Sequence, residues 1–91
     1  MPYIGEEKRS LLDPHLAALA SRIILDDELT QAGVLNYCIT SLLSEILNAN
    51  GVRYQNINEL IGVLECAKLE LYRRVASPYE DKKKDSNGDV Y

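Results

Sequence analysis

The fold is decided by residues 57–76, INELIGVLECAKLELYRRVA. Their apolar side chains recur every three or four positions, which places them on one side of a helix. This stripe consists of Ile57, Leu60, Ile61, Leu64, Leu71 and Val75. Asn56, with Glu59 three residues later, is typical of a helix start closed by a capping box. Ser77 and Pro78 predict the helix end, because proline disfavours helix in the residue before it and lacks a backbone N–H.

Three further helical segments precede this one. Residues 5–12 predict a short N-terminal helix, and Asp13 with Pro14 is typical of the N-cap and first residue of a second helix. Residues 30–48 predict a third helix, and Gly51 after it suits a left-handed C-cap. The predicted fold is therefore all-α, a small bundle of three main helices plus the short N-terminal helix.

The third predicted helix has two contrasting faces. Its apolar stripe consists of Leu35, Ile39, Leu42 and Ile46, widened by Leu43 and Leu47. Its outer face is neutral and rich in hydroxyl groups, with Tyr37, Thr40, Ser41, Ser44 and Asn48, and with Asn36 at its border. A freely solvated helix face usually carries more charge. The outer face therefore favours helix packing in an oligomer, and the alternative is contact with a polar ligand.

Composition and charge exclude several classes of protein. The chain has 91 residues, enough for one domain, and a net charge of −4. An acidic chain lacks the basic footprint of general nucleic-acid binding. No segment approaches the roughly 20 apolar residues of a membrane span. The first residues lack the basic and apolar regions of a signal peptide. We therefore expect a soluble protein of the reducing cytoplasm.

One residue of the fourth predicted helix does not fit its surroundings. On a helical wheel, Lys68 falls near the centre of the apolar stripe, where a charge is costly unless it is paired or reaches water. It either extends to solvent and pairs with Glu65, or faces a cavity between subunits and binds an anion such as a phosphate. Tyr72, Arg73 and Arg74 add a ring and two charges one turn later. Their alternative role is a solvated helix end, with Glu70 within pairing distance of these arginines.

Enzymatic and metal-binding patterns are scarce. His15 has no nucleophile within reach by sequence, and Cys38 and Cys66 do not have the spacing of metal ligands. Both cysteines are expected to be buried, reduced thiols that pack like small apolar side chains. We therefore expect a non-enzymatic protein with no catalytic residue, no metal and no cofactor.

The last residues predict a polar tail. Residues 1–77 form the predicted helical domain, and residues 78–91 follow as a tail with few apolar side chains. Tyr79 and Tyr91 bracket that tail, and each ring can pack and hydrogen-bond at once. We expect the tail to dock through these two tyrosines on its own subunit or on a neighbouring one.

A family resemblance is carried most strongly by three stretches, and MPYI at 1–4, LDP at 12–14, LNY at 35–37 and IT at 39–40 also belong to it. INELIGVLECAKLELYRRV at 57–75, PYEDKK at 78–83 and NGDVY at 87–91 resemble a family of short proteins found in tailed bacteriophages, prophages and environmental sequence. The resemblance covers nearly the whole chain and is densest from 57 onward. It brings no established activity and therefore transfers no catalytic residue. It implies a phage accessory protein that acts in the bacterial cytoplasm, with the tail as part of the family's pattern.

Two function classes follow for the homo-oligomer that we expect. In the first, the protein is an anti-defence binder that sequesters a small anionic, nucleotide-type signalling molecule between subunits. This step is an analogy with other small phage oligomers. The ligand-binding residues would be Lys68, Tyr72, Arg73, Arg74, Asn36 and Tyr37. In the second class, the protein is a helical interaction module that blocks or scaffolds a host or phage protein.

Overall fold

The computed structural model describes residues 2–91, and every regular element within that range is helical. The elements are α1 (Glu6–Ile24), α2 (Glu28–Asn50), α3 (Tyr54–Leu71), a π-helical turn (Tyr72–Ala76) and α4 (Ser77–Asn87). Because α3, the π turn and α4 follow one another without interruption, they form one long helix after α1 and α2. The all-α prediction with three main helices is confirmed.

The chain divides into two compact units. The N-terminal unit is residues 3–57, and the C-terminal unit is Pro2 together with residues 58–91. The predicted helical domain, residues 1–77, stays a prediction, and it includes Met1, which lies outside the described residues. The structural division falls within α3, so the first turn of that helix belongs to the N-terminal unit.

Helix α1 continues through Pro14, where two helices were predicted. That prediction is wrong, and there is no separate short N-terminal helix among the described residues. A proline inside a helix removes one hydrogen bond and costs about 3 kcal/mol. The residues on either side favour helix by intrinsic propensity and offset this cost; they are Leu11, Leu12, Leu16, Ala17 and Ala18. Glu6 and Glu7 in the first turn also interact favourably with the helix dipole.

The side-chain amide of Gln31, at the start of α2, hydrogen-bonds to backbone carbonyl groups at the end of α1. Gln31 Nε2 donates to the carbonyl oxygens of Ile24 at 3.4 Å and Asp26 at 3.2 Å. The last carbonyl groups of a helix have no partner within the helix itself. Since α2 begins at Glu28, slightly earlier than predicted, Gln31 lies in its first turn and stabilises the link between the two helices.

The same arrangement recurs where α3 follows α2. Helix α3 begins at Tyr54, so the prediction that Asn56 is its N-cap is wrong. Asn56 Nδ2 instead donates to the carbonyl oxygens of Asn50 at 3.2 Å and Gly51 at 2.9 Å. The predicted glycine stop is confirmed, because Gly51 follows the last residue of α2 with a φ of 104°. A residue with a Cβ atom is strained in this backbone conformation, whereas glycine adopts it freely.

In the C-terminal unit, the helix continues from the π turn into α4 across Pro78. Pro78 was predicted to end the helix, but α4 continues to Asn87, so that prediction is wrong. In the π turn the Ser77 N–H donates to the carbonyl of Tyr72, five residues earlier. The wider turn accommodates the proline, which lacks an N–H and whose ring would clash with the carbonyl four residues before it. Most of the predicted tail is therefore helix, and only residues 88–91 follow it.

No described residue is buried in either unit. The chain exposes 8196 Å² of accessible surface. Two separate compact monomers with the lengths of these units would together expose only about 6300 Å². The chain therefore exposes more surface than two compact proteins with the lengths of its units would expose.

Candidate functional site

One exposed apolar surface of the N-terminal unit lies on α2. We call it the α2 stripe; it consists of Leu35, Ile39, Leu42 and Ile46. All four side chains are exposed, Leu42 by 54%. Half-buried residues lie on both flanks of the stripe, Val34, Cys38 and Ser41 on one side and Leu43 and Leu47 on the other. Within the unit, the helix therefore covers these flanks more than it covers the stripe itself.

Helix α3 has apolar residues on two sides. Apart from the half-buried Leu60, its predicted stripe is also exposed, with 59% of Ile61 accessible. On the opposite side, Pro2 and α3 enclose an open cavity of about 480 Å³ whose lining includes Gly62, Val63 and Cys66. Both cysteines are free thiols, Cys38 half-buried and Cys66 exposed, so the expectation of two buried thiols is wrong. Gly62 has no side chain, which leaves this part of the helix surface open.

Lys68 of α3 and Arg73 of the π turn form ion pairs with acidic residues of α3. Lys68 Nζ lies 2.9 Å from Glu65 Oε1, and 67% of the lysine side chain is exposed. In the single chain Lys68 therefore pairs with Glu65 and extends to water, and its alternative role at a cavity between subunits stays a prediction. Arg73 Nη2 lies 2.7 Å from Glu70 Oε1. Because exposed ion pairs contribute little free energy, a stronger anion can still displace these carboxylates.

Tyr72 joins the π turn to α4. Its hydroxyl donates to Glu80 Oε2 at 3.2 Å. This hydrogen bond and the negative charge of Glu80 raise the pKa of Tyr72 above its ordinary value. The two residues are eight apart, and the π turn sets their relative position across Pro78. The sequence did not predict this contact, because the residues from Pro78 onward were expected to form a tail and not a helix.

The six predicted ligand-binding residues belong to different units. Lys68, Tyr72, Arg73 and Arg74 lie within two turns of the C-terminal unit. Asn36 and Tyr37 lie on α2 in the N-terminal unit, where the Thr40 hydroxyl donates to Asn36 Oδ1 at 3.2 Å. Neither unit contains the full set, and the shared ligand site stays a prediction.

The tyrosines of the predicted tail are exposed in the single chain. Tyr79 lies in α4, and the Lys83 ammonium is 5.6 Å from the centre of its ring. Tyr91 is fully exposed, and its backbone N–H donates to Asp89 Oδ1 at 2.9 Å. Their role as anchors on a neighbouring subunit stays a prediction.

Two structural features are absent from the described residues. Residues 2–91 contain no group of three or more His, Cys, Asp or Glu side chains placed to hold a metal ion. Within the same residues, no helix combines the length and the apolar character needed to cross a membrane.

Comparison with known proteins gives a family match. A family described as Domain of unknown function (DUF6899) matches residues 1–90. None of the curated proteins and none of the solved structures matches the chain. Since the match extends through residue 90, α4 and most of the segment after it are part of the family's sequence pattern.

Proposed function

We propose that this chain, which belongs to the DUF6899 family, is a non-enzymatic helical protein that associates with copies of itself and then binds a partner protein. In the setting that the phage resemblance implies, the partner is a host or phage protein in the bacterial cytoplasm. The family itself brings no activity to this proposal. Its support comes from the exposed apolar surface of the chain.

The observation that carries the proposal is the absence of any buried residue between Pro2 and Tyr91. The exposed surface exceeds that of separate compact units by about 1900 Å². A standard interface buries about 800 Å² on each partner, and obligate homodimers bury more. Isolated helices are also marginal in water, since most helical stability comes from packing of an apolar face. Association supplies that packing.

The alternative function, sequestration of a nucleotide-type anion, has weaker support from the geometry. Lys68 and Arg73 each pair with a carboxylate one turn away, which partly neutralises their positive charge. The Tyr72 ring, placed for stacking, has its hydroxyl directed at Glu80. A site for the anion would need these groups to change partners when subunits meet.

Molar mass in solution tests self-association. We expect light scattering at micromolar concentrations to give at least twice the 10.2 kDa of one chain. A dilution series should show dissociation together with loss of helical circular dichroism, because the apolar faces stabilise the helices only when covered. A helical protein that stays at 10.2 kDa across the whole series would overturn the proposal.

A thermal-shift screen with cyclic and linear nucleotides tests the alternative. A ligand that binds only the folded protein raises its melting temperature, and the stabilisation grows with the logarithm of the ligand concentration relative to its dissociation constant. On the proposed function we expect no shift with any nucleotide. A shift that disappears in Lys68→Gln but persists in Lys82→Gln, a matched cation on α4, would favour sequestration instead.

A further inference from the structure

The contact between copies can be narrowed to one face of the chain. This step rests on the proposed self-association. We infer that the α2 stripe pairs in parallel with the same stripe of a second copy, as a short two-stranded coiled coil. Three observations support this choice: the spacing of the stripe, its lack of charge, and the unsuitability of the other helices.

The spacing of the α2 stripe is that of a heptad seam. Leu35, Ile39, Leu42 and Ile46 are separated by four, three and four residues, which corresponds to heptad positions d, a, d and a. Leucine therefore occupies both d positions and isoleucine both a positions. In parallel coiled coils, β-branched residues at a with leucine at d favour two strands.

Charge on α2 permits contact with an identical helix. The charged side chains of α2 are Glu28, its first residue, and Glu45. Glu28 lies one heptad before Leu35, outside the α2 stripe. Glu45 occupies heptad position g, whose neighbour in a parallel partner is the e position of the following heptad, here Asn50. An identical helix would therefore meet no like charge between Leu35 and Ile46. A strongly charged partner, in contrast, would find almost no complementary groups on α2.

The other helices fit self-pairing less well. The α3 stripe has Lys68 near its centre, so two identical stripes would bring two ammonium groups together. Helix α1 has a similar apolar spacing, but Pro14 lies inside it and disturbs the regular helix that a seam requires. Helix α4 has no apolar stripe.

Three matched variants test this assignment. Leu42, Leu16 and Ile61 lie on different helices and are 54%, 56% and 59% exposed in the single chain. We expect Leu42→Glu to raise the dissociation constant of the dimer at least about tenfold, because each copy then places a carboxylate in the seam. Leu16→Glu and Ile61→Glu should keep the wild-type mass.

Disulfide trapping gives a readout that does not depend on disrupting the protein. In a Cys38→Ser, Cys66→Ser background, Leu42→Cys should form a cross-linked dimer on oxidation, since equivalent d positions face each other in a parallel pair. Ser44→Cys, on the outer side of the same helix, is the control and should remain uncross-linked. Equal cross-linking at both positions would overturn the inference.

The outcomes separate the two proposals. A wild-type chain that is monomeric at all concentrations overturns self-association and the α2 contact with it. A wild-type dimer that survives Leu42→Glu but dissociates in Ile61→Glu or Leu16→Glu overturns only the α2 contact. A dimer that dissociates only in Leu42→Glu and is trapped by Leu42→Cys supports both.

Discussion

Replacing Pro14 by alanine should stabilise the protein, because Pro14 lies inside α1 and not at a helix start. Alanine would restore the backbone N–H at position 14, which can donate to the carbonyl of Ser10 in the regular helical pattern. It would also remove the clash between the proline ring and that carbonyl. If α1 were instead two helices that meet at Asp13, proline would be favourable in its position and the substitution would bring no gain.

The expected magnitude follows from known helix propensities. Proline in a helix interior is about 3 kcal/mol less favourable than alanine. Proline also reduces the conformational entropy of the unfolded chain, which stabilises the wild type by about 0.4–1 kcal/mol. The net gain is therefore about 2 kcal/mol. For a chain of this length, each kcal/mol shifts the melting temperature by about 4–8 °C, so we expect an increase of about 8–16 °C.

Thermal unfolding followed by helical circular dichroism at fixed protein concentration measures this shift. Asp13→Ala is the control on the neighbouring residue. In a continuous helix it should be neutral or slightly stabilising, because alanine has the higher propensity. If Asp13 were instead the N-cap of a separate helix, the substitution should lower the free energy of unfolding by about 1 kcal/mol. A melting temperature unchanged or lowered by Pro14→Ala, together with destabilisation by Asp13→Ala, would refute the continuous helix.

Two further predictions concern contacts at the other helix junctions. The phenol of Tyr72 should titrate above its ordinary pKa by ultraviolet absorbance, and Glu80→Gln should lower that pKa while Asp85→Asn leaves it in place. Because the folded-state pKa is raised, the contact contributes its full stability below pH 10, and this contribution is lost as the pH rises through the raised value; an identical titration in Glu80→Gln would contradict the assignment. Asn56→Ala should destabilise the protein by about 1–2 kcal/mol in urea unfolding, because two carbonyls at the end of α2 lose a donor. Asn58→Ala, an exposed neighbour on α3, is its control, and equal effects of the two substitutions would exclude a special role for the Asn56 amide.

Helical periodicity was sufficient to predict the all-α fold. The apolar stripe of the third predicted helix lies on one side of α2, and α2 stops at Gly51 as its composition indicates. These features depend on residues close together in sequence, where spacing and backbone preference determine the local structure. The pairing of Lys68 with Glu65 is predictable for the same reason, since the two residues are three apart.

The errors occur where a local rule competes with a neighbouring preference. Pro14 was read as a helix start, but helix-favouring residues on both sides carry α1 past it. Pro78 was read as a helix stop, but a π turn keeps the helix continuous and gives Tyr72 a partner in α4. Asn56 was read as the start of α3, whereas its amide completes the end of α2. In each case the outcome depends on a balance of about 1–3 kcal/mol that a residue pattern does not resolve.

The position of Lys68 in the α3 stripe favours association through the α2 stripe over association through α3. A charge in an apolar stripe is costly when that stripe is covered, because the ammonium loses water. In the single chain this cost does not arise, since Lys68 is exposed and paired with Glu65. Association through α3 would restore the cost, whereas association through the uncharged α2 stripe would leave Lys68 in water. The α3 stripe would then remain available on the assembled protein, with one cation in its centre. A partner protein that binds there should present an apolar surface with an acidic side chain opposite Lys68.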